Sequence, residues 1–433
     1  MVDYAPKQHR EIKMKITILN GSPEPSSFDH YLRELKSALE TINHQVTQID
    51  LRELPLKYCI GCFDCWVKTP GLCDADDVSQ EMDRAVINSE FTLWAAPLKM
   101  GFPSVLLKMA FDKHLPLIHP YMLVDQNEAH HLKRYETYPR VGLLVEKETD
   151  TNAKDLRILT DIFSRTALNF KSKLEFLETI DLPTEDLARK ILEKRKGPHL
   201  FQRRLEPVQG SQIAPPQKIT VFNGSPRGKK GNTPIMLAEF MKGFGREYEI
   251  HHLIRVKEIE DQVQAFEEAE CIWFGFPLYT DAMPGVVKNF IEALEPLRGR
   301  ENNPPIGFLV QSGFPEGLHS RYVERYLARL ADRLGSPYLG TIVKGNGEGT
   351  RVMPPEATSG LFENLQNLGA AFAKNGELDS VILMEIAKPE HYPLILNPIF
   401  QLYLRLPIAH GYFDRMLHEN DAFERRDDTP FVE

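Results

Sequence analysis

Four of the five cysteines in the chain, Cys59, Cys62, Cys65 and Cys73, fall in one short run. Thiolates at two-residue intervals can wrap one face of an iron-sulfur cubane, with a fourth ligand supplied from further along. Zinc also accepts four thiolates, although it more often uses two separated pairs. A secreted disulfide framework would spread its bridges through the fold, which this run does not. We rank a [4Fe-4S] site slightly ahead of thiols without metal, with zinc and a disulfide behind. The fifth, Cys271, lies in an apolar run and reads as a small core residue.

A second stretch offers different chemistry. Asn223-Gly224-Ser225-Pro226-Arg227-Gly228-Lys229-Lys230-Gly231-Asn232-Thr233 follows a β-rich run, Lys218 to Phe222. Its glycines allow tight turns and close approach of backbone to a ligand. Ser225, Asn232 and Thr233 supply donors, and Arg227 supplies a charged fork. With Thr233 as N-cap and Pro234 in the first turn, Leu237, Phe240, Met241 and Phe244 form a helical face that Gly245 ends. A phosphate would sit at that helix N-terminus. The letters match neither the G-x-x-x-x-G-K-[ST] loop nor the G-x-G-x-x-G fingerprint. On this stretch alone, an ordinary glycine-rich turn explains the residues equally well.

The elements that must position these residues occur twice. Asn20-Gly21-Ser22-Pro23 repeats the first four letters of the second stretch after its own strand, Lys15 to Leu19. Each copy continues with a helix, a second strand (Gln45 to Asp50; Tyr248 to Ile254) and a third strand (Phe91 to Ala96; Cys271 to Phe276). Fourth strands follow at Val141 to Val145 and Ile306 to Val310, and fifth strands at Leu174 to Leu177 and Tyr338 to Val343. Strands alternating with helices predict a parallel sheet covered on both faces. The interval from Asn20 to Pro97 exceeds that from Asn223 to Pro277 by 23 residues, and Leu54 to Asp76, which holds the cysteines, is itself 23 residues long. The cysteine loop therefore reads as an insertion after the second strand of the first copy.

At 433 residues the chain is long enough for two domains. We expect an α/β unit over 14–182 with its insertion at 54–76, a helical linker over 183–217, a second unit over 218–385 and a helical tail over 386–433. A net charge of -9 provides no basic field for nucleic acid. Met1 to Lys13 lacks the apolar core of a secretory signal and no 18-residue apolar run occurs, so no membrane span is expected and a cytoplasmic location is the default. The tail, Leu394 to Met416, is apolar but broken by Pro398, Arg405, Pro407 and Asp414; it reads as helices packed across the two units, with a membrane-surface helix as the weaker alternative. His130-His131 and His251-His252 fit no ligand pattern, His114 and His119 read as packing residues, and Asp76-Asp77 reads as a helix cap.

In an open parallel sheet the loops after strands one, three and four converge at the switch point. In the second copy these are the stretch above, Pro277-Leu278-Tyr279-Thr280 and Gln311-Ser312-Gly313. Together they resemble the NADPH-dependent FMN reductases of the flavodoxin-like superfamily, in which an N-G-S-P-R…G-N-T loop holds the FMN phosphate and a P-x-Y loop borders the isoalloxazine. The resemblance implies two tandem flavodoxin-like, doubly wound five-stranded parallel sheets. It implies Ser225, Arg227, Asn232 and Thr233 as phosphate contacts, and Pro277, Leu278, Tyr279, Thr280, Ser312 and Gly313 around the ring. Gly345-Asn346-Gly347-Glu348-Gly349 resembles a further glycine-rich loop of the group. The first copy departs from the pattern: Glu24 replaces the arginine, Phe28-Asp29 replaces Asn-Thr and Lys99 takes the tyrosine position, so FMN is expected in the second copy. The cysteine loop after the second strand resembles that of the iron-sulfur flavoproteins, which implies Cys59, Cys62, Cys65 and Cys73 as cluster ligands.

The activity implied is an FMN-dependent NAD(P)H oxidoreductase that passes electrons to a flavin, quinone or nitro compound and needs no side-chain acid, base or nucleophile. The alternatives are an electron-transfer module fed by a ferredoxin-like protein, and a non-enzymatic flavin-binding protein. A tandem fold also suggests that the copies imitate a dimer, and homo-oligomers remain open.

Overall fold

Near-continuous apolar runs make the central strands: 272–276 and 91–96 are buried along their length, as strands covered on both faces must be. The computed structural model describes residues 14–125, 127–194, 196–197, 205–392 and 397–432.

The first half runs β1 (Lys15–Asn20), α1 (Ser27–Thr41), β2 (Gln45–Asp50), α2 (Asp64–Val67), α3 (Ser79–Ile87), β3 (Phe91–Lys99), β4 (Phe102–Pro103), α4 (Val105–Lys113), β5 (Ile118–Asp125), β6 (Glu128–Lys133), β7 (Arg140–Glu146), α5 (Ala153–Asn169), β8 (Leu174–Thr179) and α6 (Thr184–Leu192). The second half runs β9 (Lys218–Asn223), α7 (Asn232–Phe244), β10 (Glu247–His252), α8 (Ile259–Glu267), β11 (Ile272–Pro277), α9 (Gly285–Ala293), β12 (Ile306–Gln311), α10 (Leu318–Leu334), β13 (Tyr338–Lys344), α11 (Gly349–Val352), α12 (Pro355–Asn375) and α13 (Ser380–Ala387). The tail adds α14 (Asn397–Leu404) and α15 (Pro407–Glu419).

The sheets are ordered β2-β1-β3-β7-β8 and β10-β9-β11-β12-β13, with parallel pairing along each path. Both are the flavodoxin order, whose switch point lies between the first and third strands. The expected fold class, two flavodoxin-like parallel sheets, is what the chain adopts.

Corresponding helices of the two halves pack on each other, α4 on α9 and α5 on α10. One continuous apolar core crosses the junction; the Phe102 and Tyr326 rings meet edge to face at 5.1 Å. The pairing is reciprocal at the helix starts. Asp112, paired with Lys108 on α4, accepts the Gly285 N–H of α9 at 2.7 Å. Glu292, paired with Lys288 on α9, accepts the Val105 N–H of α4 at 2.6 Å. Such reciprocity is the mark of an isologous contact, here within one chain.

Three features differ from the reading of the sequence. The N-cap of α7 is Gly231, which places Thr233 inside the first turn rather than at the cap. The stretch expected to open a linker begins with α6, whose Leu187, Ala188 and Ile191 pack into the core beneath α1. The two-stranded β5–β6 ribbon was not anticipated; Asn127 at its turn has φ +69, a conformation asparagine tolerates. The tail contacts both halves: Leu417 packs with Cys65, Trp66 and Ile118, Tyr121 donates to Asp414, and Tyr412 reaches Glu348. Residues 198–204 and 393–396, which the linker and tail readings included, lie outside the described residues. Among the described residues, no helix is long and apolar enough to cross a membrane.

Candidate functional site

The carboxyl ends of β9, β11, β12 and β13 open into a cavity of about 540 Å³, within the ~300–1,000 Å³ common for small-molecule sites. Eight of the ten residues expected to hold a flavin line it: Ser225, Arg227, Asn232, Pro277, Leu278, Tyr279, Thr280 and Gly313. The other two lie one layer back. Thr233 is buried and faces the Gln311 amide at 3.4 Å, and the Ser312 hydroxyl donates to the Phe314 carbonyl at 3.3 Å.

Sequence letters explain the floor of the cavity. A Cβ on Gly231 would come within 2.1 Å of Ser225 Oγ, and one on Gly224 within 2.3 Å of Val287, so only glycine lets this loop fold so tightly. No side chain caps α7, whose first turn therefore offers free N–H groups. The Oδ1 of Asn232 is buried without a partner. That oxygen is an acceptor and calls for a donor; the N–H groups of the first turn, the Arg227 guanidinium and Asn232 Nδ2 are what fit an anion, and the last two already face one. Glu348 accepts from Arg227 Nη1 at 3.0 and 3.1 Å and from Asn232 Nδ2 at 2.9 Å. Glu348 lies in the glycine-rich loop after β13, where a lone acid among glycines was the only signal of it.

The first half builds the opposite wall. Arg227 Nε donates to the Gly61 carbonyl at 2.7 Å, and its guanidinium lies 4.5 Å from the centre of the Phe63 ring. Gly61 has φ +65, and a Cβ there would meet the Tyr279 hydroxyl at 1.9 Å. The cysteine loop therefore sits directly on the Tyr279 side chain. Trp66 closes the next face, fixed by donation to the Leu115 and Ile118 carbonyls at 3.1 and 3.0 Å. His131, from the unexpected ribbon, also lines the cavity, 5.1 Å from the Trp66 ring centre. Tyr403, Ile408 and Phe413 of the tail complete the rim.

Of the four clustered thiols only Cys59 lines the cavity. Among the described residues, no group of three or more His, Cys, Asp or Glu side chains is arranged to hold a metal ion. Burial pushes the Cys59 thiol up to about 12 and Cys65 well above the usual value, with neighbouring thiols adding to both shifts. Such thiols are poor nucleophiles at neutral pH, which disfavours free dithiol chemistry. Cys271 is fully buried in the second core, as expected. His114 bonds Asp83 at 2.6 Å and His119 bonds the Arg426 carbonyl at 3.1 Å. Asp77 accepts the Ser79 N–H at 3.0 Å but also pairs with Lys113 at 2.6 Å, while Asp76 is exposed.

The equivalent loops of the first half are filled by its own groups. Asp29 lies against Asn20 at 2.7 Å and Arg52 at 2.6 Å. Burial opposes its charge, yet the Arg52 and Asn20 hydrogen bonds hold its carboxyl below the usual range. Where Pro277 to Asp281 border the cavity in the second half, Met100 and Gly101 of the first donate their N–H groups to Glu148 at 2.9 and 2.6 Å.

Comparison with known proteins gives a partial match. Residues 14–126, about a quarter of the chain, match the family described as NADPH-dependent FMN reductase. No curated protein matches the chain. Among solved structures, an azoreductase from Bacillus anthracis str. Sterne is similar at 15% identity over 36% of this chain and 100% of its own, with a TM-score of 0.30. An NAD(P)H:quinone oxidoreductase from Methanothermobacter marburgensis is similar at 13% identity over 36% and 94%, with a TM-score of 0.28. An FMN-dependent NADH-azoreductase from Bacillus anthracis str. Ames Ancestor, in complex with FMN, is similar at 13% identity over 36% and 99%, with a TM-score of 0.29. The chain thus has two sheets of flavodoxin order, and over residues 14–126 it is similar to the NADPH-dependent FMN reductases.

Proposed function

We propose that this chain is an FMN-dependent NAD(P)H oxidoreductase, built as a tandem duplication of flavodoxin-like units over 14–182 and 218–385, with one flavin per chain in the second unit. The observation that carries this reading is the convergence of the loops after β9, β11 and β12, with eight of the ten expected residues, on one cavity at the switch point. Ser225, Arg227, Asn232 and the first turn of α7 would hold the phosphate, and Pro277 to Thr280 with Gly313 would border the ring. Bound FMN supplies the hydride chemistry, accepting from NAD(P)H and giving to an acceptor such as a flavin, quinone or nitro compound. The residues of the chain orient it, screen it with the cysteine loop and tail, and offer Arg227 to its negative charge. In the first unit, Glu148 and Asp29 occupy the equivalent positions, which supports a wall-building role there.

A second reading, an electron-transfer module with a thiolate-held [4Fe-4S] cluster fed by a ferredoxin-like protein, is favoured by one observation: Cys59 and Gly61 abut the same cavity as Tyr279. Metal binding would displace the protons that burial holds on these thiols. Stopped-flow reduction separates the two. The reductase reading expects NADPH or NADH to bleach the flavin rapidly. Rapid bleaching by dithionite alone, with iron and sulfide bound, would overturn it in favour of the module.

A further inference from the structure

Helix α14 is apolar on every side. It packs on β5 of the first half, with Phe400 and Leu404 half-buried and the Phe400 ring stacked on Tyr392 at 4.3 Å. Ile399 and Leu402 point away from these two and are 65% and 62% exposed. A helix that is hydrophobic all round is ordinarily buried, and an apolar strip left in water marks a place where something docks.

The strip runs into the mouth of the cavity. Tyr403 and Ile408 of the tail, with Val352 and Met353 at the end of α11, line the cavity and are exposed as well, Ile408 by 76%. These four side chains are therefore its rim, and the exposed Leu406 joins them to Leu402. Past the rim the way in stays apolar: the Phe413 and Trp66 rings meet edge to face at 5.7 Å, with Ile118 and Met122 beside them on the cavity wall.

Charge narrows the choice of partner. Residues 397–413 contain no Asp or Glu and hold the exposed Arg405, in a chain whose net charge is -9. A second copy, or another protein seated here, would cover Tyr403 and Ile408 and close the mouth. A lipid surface meets both features at once, since acyl chains take the apolar side chains and anionic headgroups take the arginine. Tyr403, apolar in its ring and polar at its tip, suits the boundary between them. With 8 residues, α14 is far shorter than the ~20 that a span needs, so it would lie in the plane of the surface.

We propose that α14 and the cavity rim dock on a lipid surface bearing anionic headgroups, with the mouth turned toward the bilayer. The ligand class that follows, which rests on the oxidoreductase reading, is an acceptor dissolved in the lipid: a quinone with an apolar tail. There NAD(P)H, one proton from water and the quinone become NAD(P)+ and the quinol.

Flotation of the full chain with vesicles tests the docking without any activity being measured. Wild-type protein should float with vesicles of phosphatidylcholine and phosphatidylglycerol. The double variant Ile399→Ser/Leu402→Ser, which leaves the cavity lining intact, should bind them roughly 10²-fold more weakly or worse. Arg405→Gln should weaken binding about fivefold on these vesicles and not on phosphatidylcholine alone. A wild-type chain that does not float, or a double variant that floats as well as wild type, overturns the docking; a wild-type dimer that the double variant dissolves, without flotation, makes a second copy the cover. In the FMN-loaded protein, NADPH-driven reduction of decylubiquinone held in the vesicles should fall with binding in the double variant, while reduction of ferricyanide in solution holds. Equal loss with both oxidants, or none with the quinone, overturns the ligand class. Wild-type protein that floats but that NADPH fails to reduce overturns the oxidoreductase reading and leaves the docking standing.

Discussion

Arg227→Glu should release FMN. The substitution removes the Arg227 guanidinium from the cradle wall, whose charge-assisted hydrogen bonds are each worth roughly 1.5–3 kcal/mol, and turns a like charge toward both the phosphate and Glu348. A combined loss of about 4 kcal/mol weakens binding about 10³-fold. Riboflavin, which lacks the phosphate, is the control: fluorescence titration should show its affinity falling less than about tenfold. That smaller loss reflects the cysteine loop, which Arg227 also ties down through the Gly61 carbonyl and Phe63. Glu348→Gln should act in the opposite sense, tightening FMN and leaving riboflavin unchanged, because the carboxylate competes with the phosphate for Arg227 and Asn232. Equal effects on both ligands would place the phosphate elsewhere.

Lys108→Met should cost the fold about 3–5 kcal/mol at neutral pH, because it leaves Asp112 buried without its counter-charge. Burial already raises Asp112 and lowers Lys108 from their ordinary values, so each charge depends on the other. The sign of the pH dependence follows. A carboxyl whose folded value is raised binds its proton more tightly when folded, so its contribution is fully present below the unfolded carboxylate value and is lost as pH rises through the folded one. The penalty of Lys108→Met should therefore shrink on acidification. Urea denaturation across pH measures it, and an unchanged midpoint at neutral pH would contradict it. Lys108 also donates to Thr280 at 2.8 Å, so the variant should weaken flavin binding as well. Lys288→Met, its counterpart on α9, should destabilise comparably with a smaller effect on flavin, since Lys288 bonds the Lys99 carbonyl beside the filled loops of the first half.

The order of strands and the loops that ride on them were legible because each is a local pattern: apolar runs of strand length, helical faces such as Leu237 to Phe244, and glycines where a Cβ would collide. The repeat made the defective copy readable too, since Phe28-Asp29 stands where Asn232-Thr233 stands in its twin. What local pattern could not show is which distant segments meet. Glu348 lies 121 residues from Arg227, and Gly61 lies 166 residues from it. Both contacts depend on how the halves dock and on where the cysteine loop folds back. The β5–β6 ribbon escaped notice because a helix is the usual connection here, so His130-His131 looked like an unpatterned pair. In the structure His130 joins the buried network and His131 faces the cavity.

The flavin content of anaerobically purified protein, read from its visible spectrum against protein and iron analysis, tests the central claim most directly. One FMN per chain, lost in Arg227→Glu and retained in Glu24→Arg without a second equivalent appearing, is the expected result. Two flavins per chain, or one that survives Arg227→Glu, would contradict a single site in the second unit.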